Sequence, residues 1–309
     1  MTLSALGRVN GHARKPFKLE AHNRLLRWIA VVGALLAAAA PVTLMAAPAR
    51  QASEQAALEE QNKAMILPIY TEILNQGNTD LASGLFSDYM IQHDPRDGDG
   101  GAGQLALFDS LKTATPGLVA TVKHVAADGD LVAVHWQASA TPDDEFSGQA
   151  VVDVWRVAGG TIVEHWDDFQ DVPAQTTSGN SMFSDVYTST LGAPALSDEQ
   201  EEANREMVVW AFTELFNNRK LELLDQFFDP RYFQHNPRIP NGTAGLGQLI
   251  ASLPAGGGPR VNVSRSLADQ DLVWAIQDRP GGLIQTDIFR VANGKIVEHW
   301  DILPSAPTS

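Results

Sequence analysis

The hexapeptide IVEHWD occurs twice in this chain, at residues 162–167 and again at residues 296–301. A Gly-containing turn precedes each copy, and a run of apolar and aromatic residues precedes the turn. We therefore predict a β-hairpin whose second strand is IVEHWD. The longer stretches 155–167 and 289–301 agree at 10 of 13 positions. A repeat of this length indicates that a larger unit has been duplicated.

Other paired segments occur in the same order in both halves of the chain. They are 70–86 with 212–228, 89–95 with 232–237, and 128–137 with 269–278. The similarity therefore covers a whole domain, and no short solenoid repeat is involved. We predict a first domain at 55–174 and a second at 197–305. The linker between them, 175–196, is rich in Ser, Thr, Gly and Pro.

Each half has helical periodicity first and strand periodicity afterwards. Apolar spacing predicts a long helix over 59–74 and its counterpart over 201–216, the latter with Ser197 or Asp198 as N-cap. Two shorter helical segments and a run of strands follow in each half. This order predicts an α+β fold of two tandem cone-shaped domains. In each, three N-terminal helices pack on a curved, mostly antiparallel β-sheet and leave a cavity.

The composition argues against several functions. The formal net charge is −15, and a nucleic-acid partner is not expected, since phosphate binding needs a basic surface. The chain has no cysteine, so a disulfide framework, a thiol nucleophile and thiolate metal ligands are excluded. It also lacks the spacing of a dedicated metal motif, a phosphate-binding loop and a G-x-S-x-G turn. We expect neither a metal nor another cofactor.

The N-terminal segment 1–49 differs from the rest of the chain. It carries six basic residues and one acidic residue, a net charge of +5, so the remainder carries −20. An apolar run at 28–49 follows, with an A-x-A sequence at its end. This pattern predicts a signal peptide or an N-terminal membrane anchor. We expect an exported protein, periplasmic or secreted, that contacts a membrane only if this segment stays uncleaved.

The segments IQHDP and FQHNP, together with VDVWRVAGGTIVEHWD and TDIFRVANGKIVEHWD, resemble the SnoaL-like polyketide cyclases. That family belongs to the superfamily of nuclear transport factor 2 and ketosteroid isomerase. The resemblance covers both copies, about 60–174 and 200–304. It implies the cone-shaped fold and cofactor-free acid/base chemistry on a small carbonyl or polyketide-like compound. The fold alone does not fix one reaction, because it also carries binding domains.

The resemblance also implies roles for residues of the repeated hexapeptide. The acid/base aspartate of the cyclases falls on Asp167 and Asp301, and its companion histidine falls on His165 and His299. A second pocket histidine of the family is absent, because Asp153 and Asp287 stand at the matching positions. The exchange alters both the charge and the basicity expected at neutral pH.

Strand alternation supports a site on the same side chains. Alternate residues of a strand share a face, so we place Val163, His165 and Asp167 on one side and Ile162, Glu164 and Trp166 on the other. Pairing across the hairpin would bring Asp153 to the His/Asp side of the first copy and Asp287 to that of the second. Further candidates for substrate binding are the histidines of the QH-x-P segments and two strand aromatics: His93, His235, Trp155 and Phe289.

Structural explanations compete with these roles. The strand histidines could simply bond carboxylates at a strand end, and His93 and His235 could cap backbone groups. Trp166 and Trp300 are more typical of core or interface aromatics than of substrate platforms. We expect salt bridges between the hairpin strands, Glu164 with Arg156 and Glu298 with Arg290. His135 has Ile276 as its counterpart, which would make the first pocket the more polar one if this position lines it.

Three functions remain open. The first is a cofactor-independent acid/base enzyme of the aldol cyclase or isomerase type. The second is an exported protein of the same fold that binds a small molecule without catalysis. The third is a structural role, in which the two domains pack as an intrachain pseudo-dimer, and it is compatible with either of the others. An active pocket should enclose about 300 Å³ or more, whereas a retired one should be filled by its own side chains.

Overall fold

The computed structural model describes residues 46–254 and 260–304, and side chains from residue 52 onward. The predicted export segment lies outside this range except for residues 46–49. Two five-stranded sheets form, one in each half of the chain, with strand orders β1-β5-β4-β3-β2 and β6-β10-β9-β8-β7. Among the described helices, none is both long enough and apolar enough to cross a membrane.

The first copy contains two α-helices and five strands. They are α1 (Ala46–Pro68), β1 (Phe86–Gln92), α2 (Gly100–Ala114), β2 (Val119–Asp128), β3 (Leu131–Ser139), β4 (Gln149–Ala158) and β5 (Thr161–Asp171). A π-helical segment, Ile69–Leu74, continues α1, and a 3-10 turn, Thr79–Ala82, stands where the sequence predicts the second helix.

The second copy contains three α-helices and five strands. They are α3 (Asp198–Asn218), α4 (Glu222–Phe227), β6 (Phe228–Gln234), α5 (Thr243–Ser252), β7 (Arg265–Asp269), β8 (Leu272–Asp278), β9 (Ile284–Ala292) and β10 (Lys295–Ile302). Ser197 is the N-cap of α3, where it forms a capping box with Gln200. The predicted α+β fold with two tandem domains is confirmed.

The IVEHWD strands lie inside their sheets. β5 pairs antiparallel with β4 and parallel with β1, and β10 pairs in the same way with β9 and β6. The parallel partner is the QH-x-P segment, so the two motifs that carry the family resemblance are neighbours in space. Because both edges of each IVEHWD strand are paired, its side chains are held in fixed register between two other strands.

A β-bulge changes which residues of the hexapeptide share a face. Arg156 pairs with Glu164 but Val157 pairs with Ile162, so Val163 is the extra residue. Ile162 therefore joins the same core cluster as Trp155, behind the cavity. The predicted placement of Ile162 on the opposite face from His165 is wrong for this reason. The second copy shows the same irregularity around Val297.

The two sheets pack against each other through the faces that their own helices leave uncovered. A shared apolar cluster contains Trp166 and Trp300 from the hexapeptides together with Met182 and Phe183 of the linker. The linker forms no helix or strand between Val172 and Ser197, apart from turns. It lies between the two copies, because its Phe183 side chain is only 2% exposed.

Contacts at this joint are reciprocal. The amide of Ala127 donates to Asp269 at 2.9 Å, and the amide of Ala268 donates to Asp128 at 3.0 Å. Two ion pairs follow the same rule, Lys63 with Asp269 at 2.6 Å and Arg205 with Asp128 at 2.6 Å. Each contact therefore links one position in the first copy to the matching partner position in the second.

Candidate active site

In the first copy, hairpin pairing brings two carboxyls and an imidazole together. Asp153 is the cross-strand partner of Asp167, and Trp155 is the partner of His165. His165 Nε2 lies 3.2 Å from Asp153 Oδ1, and His165 Nδ1 lies 3.9 Å from Asp167 Oδ1. All three groups are at least nine-tenths buried. The structure thus brings together the three polar residues that strand alternation places on this face.

Asp153 is surrounded by hydrogen-bond donors. Its Oδ2 accepts from the Tyr70 hydroxyl at 2.5 Å and from the Trp136 indole at 2.7 Å. The indole of Trp155 in turn donates to the Tyr70 oxygen at 3.0 Å. Together with His165, these donors give both oxygens of Asp153 a hydrogen-bond partner.

Asp167 has a different environment. Among the described residues its carboxyl receives no hydrogen bond, and Oδ1 is buried without a partner. Burial therefore raises its pKa, the nearby His165 lowers it and Asp153 raises it again, which brings the pKa to about 7. A carboxyl with such a pKa can both give and take a proton near neutral pH. Two carboxyls on one face thus have opposite surroundings.

His165 stands behind the two carboxyls. Burial lowers the pKa of His165, but the hydrogen bond to Asp153 and the charge of Asp167 raise it by more. The pKa of His165 therefore lies above its ordinary value. Gln92 Nε2 lies 2.8 Å from Nδ1, and the ring stacks on Trp155 with centroids 3.7 Å apart. The His165 side chain is fully buried and does not line the cavity. It can therefore position the carboxyls and alter the pKa of Asp167 from behind the cavity wall.

The cavity of the first copy measures about 180 Å³. Asp153 and Asp167 line it, with apolar walls from α2 and the sheet and with Arg96 and Asp97 also contributing. Trp155 is fully buried beneath His165 and does not form part of the cavity wall, contrary to its predicted contact with substrate.

In the second copy, His299 Nε2 lies 3.1 Å from Asp287 Oδ1, and Nδ1 lies 3.0 Å from Gln234 Oε1. Asp301 accepts from Asn236 Nδ2 at 2.7 Å, while its Oδ1 is buried without a partner. Burial raises the pKa of Asp301, and the opposing effects of His299 and Asp287 leave it at about 6. The unpartnered carboxyl oxygen is therefore repeated in both copies.

The cavity of the second copy measures about 230 Å³. His299, Asp287 and Asp301 all line it, and Phe289 lies among them as the sequence predicts. Both cavities are smaller than the 300 Å³ expected of an active pocket, yet neither is filled by its own side chains. A ligand of either cavity must therefore be small.

His93 and His235 do not enter the cavities. Each follows a glutamine on its strand, and alternation turns the glutamine inward and the histidine outward. His93 bonds Glu164 at 3.0 Å and stacks on Trp166, with ring centroids 4.3 Å apart. His235 lies in the same way against Glu298 and stacks on Trp300. Their predicted place beside a substrate is thus corrected to the joint between the copies.

His135 also faces this joint. Its Nδ1 lies 3.0 Å from Nδ1 of His124, and its ring stacks near Phe183 of the linker. The expected contrast in cavity polarity at this position does not arise, because neither His135 nor Ile276 lines a cavity. Burial lowers the pKa of both joint histidines.

The predicted salt bridges between hairpin strands are confirmed. Arg156 Nε lies 3.0 Å from Glu164 Oε1, and Arg290 Nη1 lies 3.0 Å from Glu298 Oε2. Both pairs lie on the face turned toward the other copy, with the tryptophans of the hexapeptide. They support the joint and stay away from the cavity chemistry.

Several site residues escape analysis of the hexapeptide alone. Gln92 and Gln234 contact the strand histidines, and their signal was present in the repeated QH-x-P segment. Tyr70 comes from the π-helical segment after Pro68, a residue that lacks the N–H of a regular helical hydrogen bond. No simple periodicity points this tyrosine at a strand residue 83 positions away.

Among the residues that the structure describes, two groups of side chains have the composition to hold a cation. The donor atoms of Asp287, His299 and Asp301 lie within 4.8 Å of one another, and so do those of a second group, Asp94, Asp97 and Asp167. In the second group the guanidinium of Arg96 already occupies both oxygens of Asp94. A cation there would have to displace that ion pair.

The sequence model of the SnoaL-like domain matches residues 69–165 and again residues 209–299. These matches cover more than half of the chain, so the protein belongs to the SnoaL-like domain family and carries two tandem copies of the domain. Each match ends at the histidine of the hexapeptide, His165 or His299. A comparison with curated proteins found no match.

Solved structures resemble the chain over about a third of its length. Wild-type IdmH from Streptomyces antibioticus, assigned as a polyketide cyclase, is 22% identical over 36% of this chain and 92% of its own, with a TM-score of 0.30. A protein of Jannaschia sp. CCS1, assigned as a SnoaL-like polyketide cyclase, is 22% identical over 36% and 87%, with a TM-score of 0.32. A protein of Agrobacterium tumefaciens C58, assigned as an isomerase of the SnoaL-like family, is 17% identical over 36% and 97%, with a TM-score of 0.31.

Proposed function

We propose that this protein is a cofactor-independent acid/base enzyme that removes a proton next to the carbonyl of a small compound. The observation that carries the proposal is Asp167, a buried carboxyl at a cavity wall with an unpartnered oxygen and a pKa of about 7. Asp301 repeats this arrangement with a pKa of about 6. Such values match the requirement for a base that works near neutral pH.

The proposed step uses the contrast between the two carboxyls. Asp167 in its ionised form takes the α-proton, the C–H electron pair becomes that of an enolate, and Asp167 becomes neutral. Asp153, held by its donors, and His165 together set the basicity of Asp167. Return of the proton from Asp167 to another carbon completes an isomerisation. In an aldol closure the enolate carbon attacks a second carbonyl of the same molecule, and the alkoxide that forms takes the proton back from Asp167.

The test is exchange of α-protons with solvent deuterium, measured by NMR on a small ketone such as pentan-2-one. The base must be ionised, so the rate should rise with pH through about 6 and 7, the pKa values of Asp301 and Asp167, and level off above them. A rate that matches the buffer background at pH 8 would rule the proposal out.

The second candidate is a small-molecule-binding protein without catalysis. The cavities favour it in one respect, because apolar side chains line most of each cavity and a few polar groups converge in it, as in ligand-binding pockets. The same exchange experiment separates the two candidates. A binding protein would shift the NMR signals of the ketone without exchanging its protons.

We also propose that the folded part works outside the cytoplasm. The support is the basic segment, apolar run and A-x-A sequence within residues 1–49. Expression in a Gram-negative host should yield periplasmic protein, and N-terminal sequencing should find a start near residue 48 if the segment is cleaved. Recovery of the full-length chain from the cytoplasm alone would contradict this.

The two copies, we propose, form an intrachain pseudo-dimer that stands in for a pair of single-copy chains. The reciprocal contacts at the joint support this, because a twofold-related interface uses each contact twice. The expected consequence is that both copies unfold in one cooperative transition, since each buries the face that the other would expose.

A further inference from the structure

Arg279 is a cation at the wall of the second cavity that has no acidic partner. It lies at the end of β8 and lines the cavity with Asp301 and His299. Its Nη2 donates to the side-chain oxygens of Gln277 and Gln285. Among the described residues no carboxylate lies within 4 Å of it, and Nε and Nη1 have no hydrogen-bond partner. A guanidinium has five donors, so most of its bonding capacity is unused.

The first copy differs at this position. The strand pairing aligns Arg279 with Ala138, since Gln277 and Trp136 occupy the same place beside the buried aspartate of each copy. The first cavity does contain an arginine, Arg96, but both oxygens of Asp94 bind its guanidinium. The first cavity therefore offers a neutralised cation, and the second offers an unpaired one.

The segment that carries Arg279 is seated on the first copy. The 3-10 turn Pro280–Gly282 follows it directly, and Gly282 has a φ of +85°. A Cβ at Gly282 would lie 2.2 Å from the carbonyl oxygen of His93, so only glycine fits against this backbone. The joint between the copies thus fixes one side of the Arg279 loop.

The two carboxyls of the second cavity define where an anionic group can lie. Asp287 is bound by Gln277, Gln285 and His299. An anion beside Asp287 or Asp301 would meet like charge in a buried space, which is unfavourable. The position beside Arg279 supplies both opposite charge and the free N–H donors of Nε and Nη1, which suits a carboxylate oxygen.

We propose that the second cavity binds a small compound that carries a carboxylate, with the carboxylate on Arg279 and the rest of the molecule directed toward Asp301. The inference rests on the proposed function only for the chemistry at Asp301; binding through Arg279 stands without it. The substrate class of the second copy is thus a small oxo acid.

The test compares two molecules of similar shape, 4-oxopentanoate and its neutral analogue 5-hydroxypentan-2-one, by calorimetric titration at pH 7. The full chain should bind one equivalent of 4-oxopentanoate about tenfold or more tightly than the analogue, as expected for charge-assisted bonds. Arg279→Ala should remove this preference. Arg231→Ala, which removes the same charge from an exposed residue outside the cavity, is the control and should retain the preference.

Three results would overturn the proposal. They are equal affinity for the two compounds, a preference that survives in Arg279→Ala, and no binding of 4-oxopentanoate by the native chain up to about 10 mM, where fragments of this size are normally detected. Failure of the acid/base function would look different. It would leave Arg279-dependent binding in place and abolish only the exchange of α-protons.

Discussion

Replacing both cavity carboxyls, Asp167→Asn and Asp301→Asn, is expected to lower α-proton exchange by a factor of about 100 or more. The amide keeps the shape of the carboxyl but cannot accept a proton. Each single variant should retain the contribution of the other copy, with the pH profile shifted toward the pKa of the remaining carboxyl. For Asp301→Asn that is the profile of Asp167, with its pKa of about 7. Exchange that survives unchanged in the double variant would remove both residues from the mechanism.

Asp168→Asn is the matched control. Asp168 is also buried, and burial raises its pKa to about 6, but it is the next residue along β5 and does not line the first cavity. The Asp168→Asn variant should exchange α-protons of the ketone at the same rate as the native protein. If Asp168→Asn and Asp167→Asn lowered exchange equally, the effect would reflect general damage to the strand.

The stability of Asp167→Asn should separate lost chemistry from lost structure. The folded-state pKa of Asp167 is about 7 against an ordinary 3.8, so the native state holds a proton that the unfolded chain releases. This carboxyl therefore favours folding below pH 4 and weakens it progressively as the pH rises to 7. The side-chain amide of the variant cannot ionise, so we expect urea denaturation at pH 8 to show a gain of roughly 2–4 kcal/mol that shrinks toward pH 4. His165 loses a charged neighbour in the variant, which places the gain at the lower end.

The sequence predicts the hairpin and its buried charges well. The two-residue turn pairs Ala158 with Thr161, a register that on its own would set Asp153 opposite Trp166. The bulge at Val163 shifts this register by one residue and so brings Asp153 opposite Asp167, on the same side as His165. The duplication adds a second test of each prediction within one chain. The cross-strand pairing of Glu164 with Arg156 depends on the same bulge.

Two features break the alternation from which the faces were predicted. The bulge at Val163 shifts Ile162 to the core face. The hexapeptide is identical in both copies, and no residue in it marks the position of the bulge. His93 points away from the cavity because Gln92, the residue before it, pairs with His165 and takes the inward position. Successive residues of an extended segment point to opposite faces. Which residues of an extended segment point inward cannot be read from the segment itself until its partner strand is known.

Long-range partners of the carboxyls lie beyond any sequence pattern in this chain. Tyr70 donates a hydrogen bond to Asp153 in the first copy. Phe212 of α3 occupies the position that matches Tyr70 in the second copy, and it cannot donate a hydrogen bond. In the second copy Gln277 and Gln285 donate to Asp287 instead, at 3.2 and 3.1 Å. Different residues therefore donate hydrogen bonds to the buried aspartate in the two cavities. This difference is consistent with different ligands for the two copies.

The second large effect is expected at Glu298, which lies at the centre of the joint. Its side chain is fully buried and accepts from four donors. Two are the side chains of His235 and Arg290, at 2.9 and 3.0 Å. The other two are linker amides, of Val186 at 2.6 Å and Tyr187 at 3.2 Å. One carboxylate thus holds the linker against the second sheet.

The matching residue of the first copy provides the comparison. Glu164 makes similar ion pairs with His93 and Arg156, but its side chain is 27% exposed and no linker amide reaches it. Water can therefore replace its bonds when it is removed, which limits the effect of an exposed pair to about 1 kcal/mol or less. Glu298 is fully buried, so its removal would leave buried donors unpaired.

We therefore expect Glu298→Ala to destabilise the protein by about 3–5 kcal/mol, the usual effect of removing one partner of a buried ion pair. Glu164→Ala should change the free energy of unfolding by about 1 kcal/mol or less. Urea denaturation followed by tryptophan fluorescence and by far-UV circular dichroism measures both variants. Because the joint covers a face of each sheet, the two signals should coincide in a single transition. Two separate transitions, or equal losses in the two variants, would mean that the copies fold independently and that Glu298 contributes no more than its exposed counterpart.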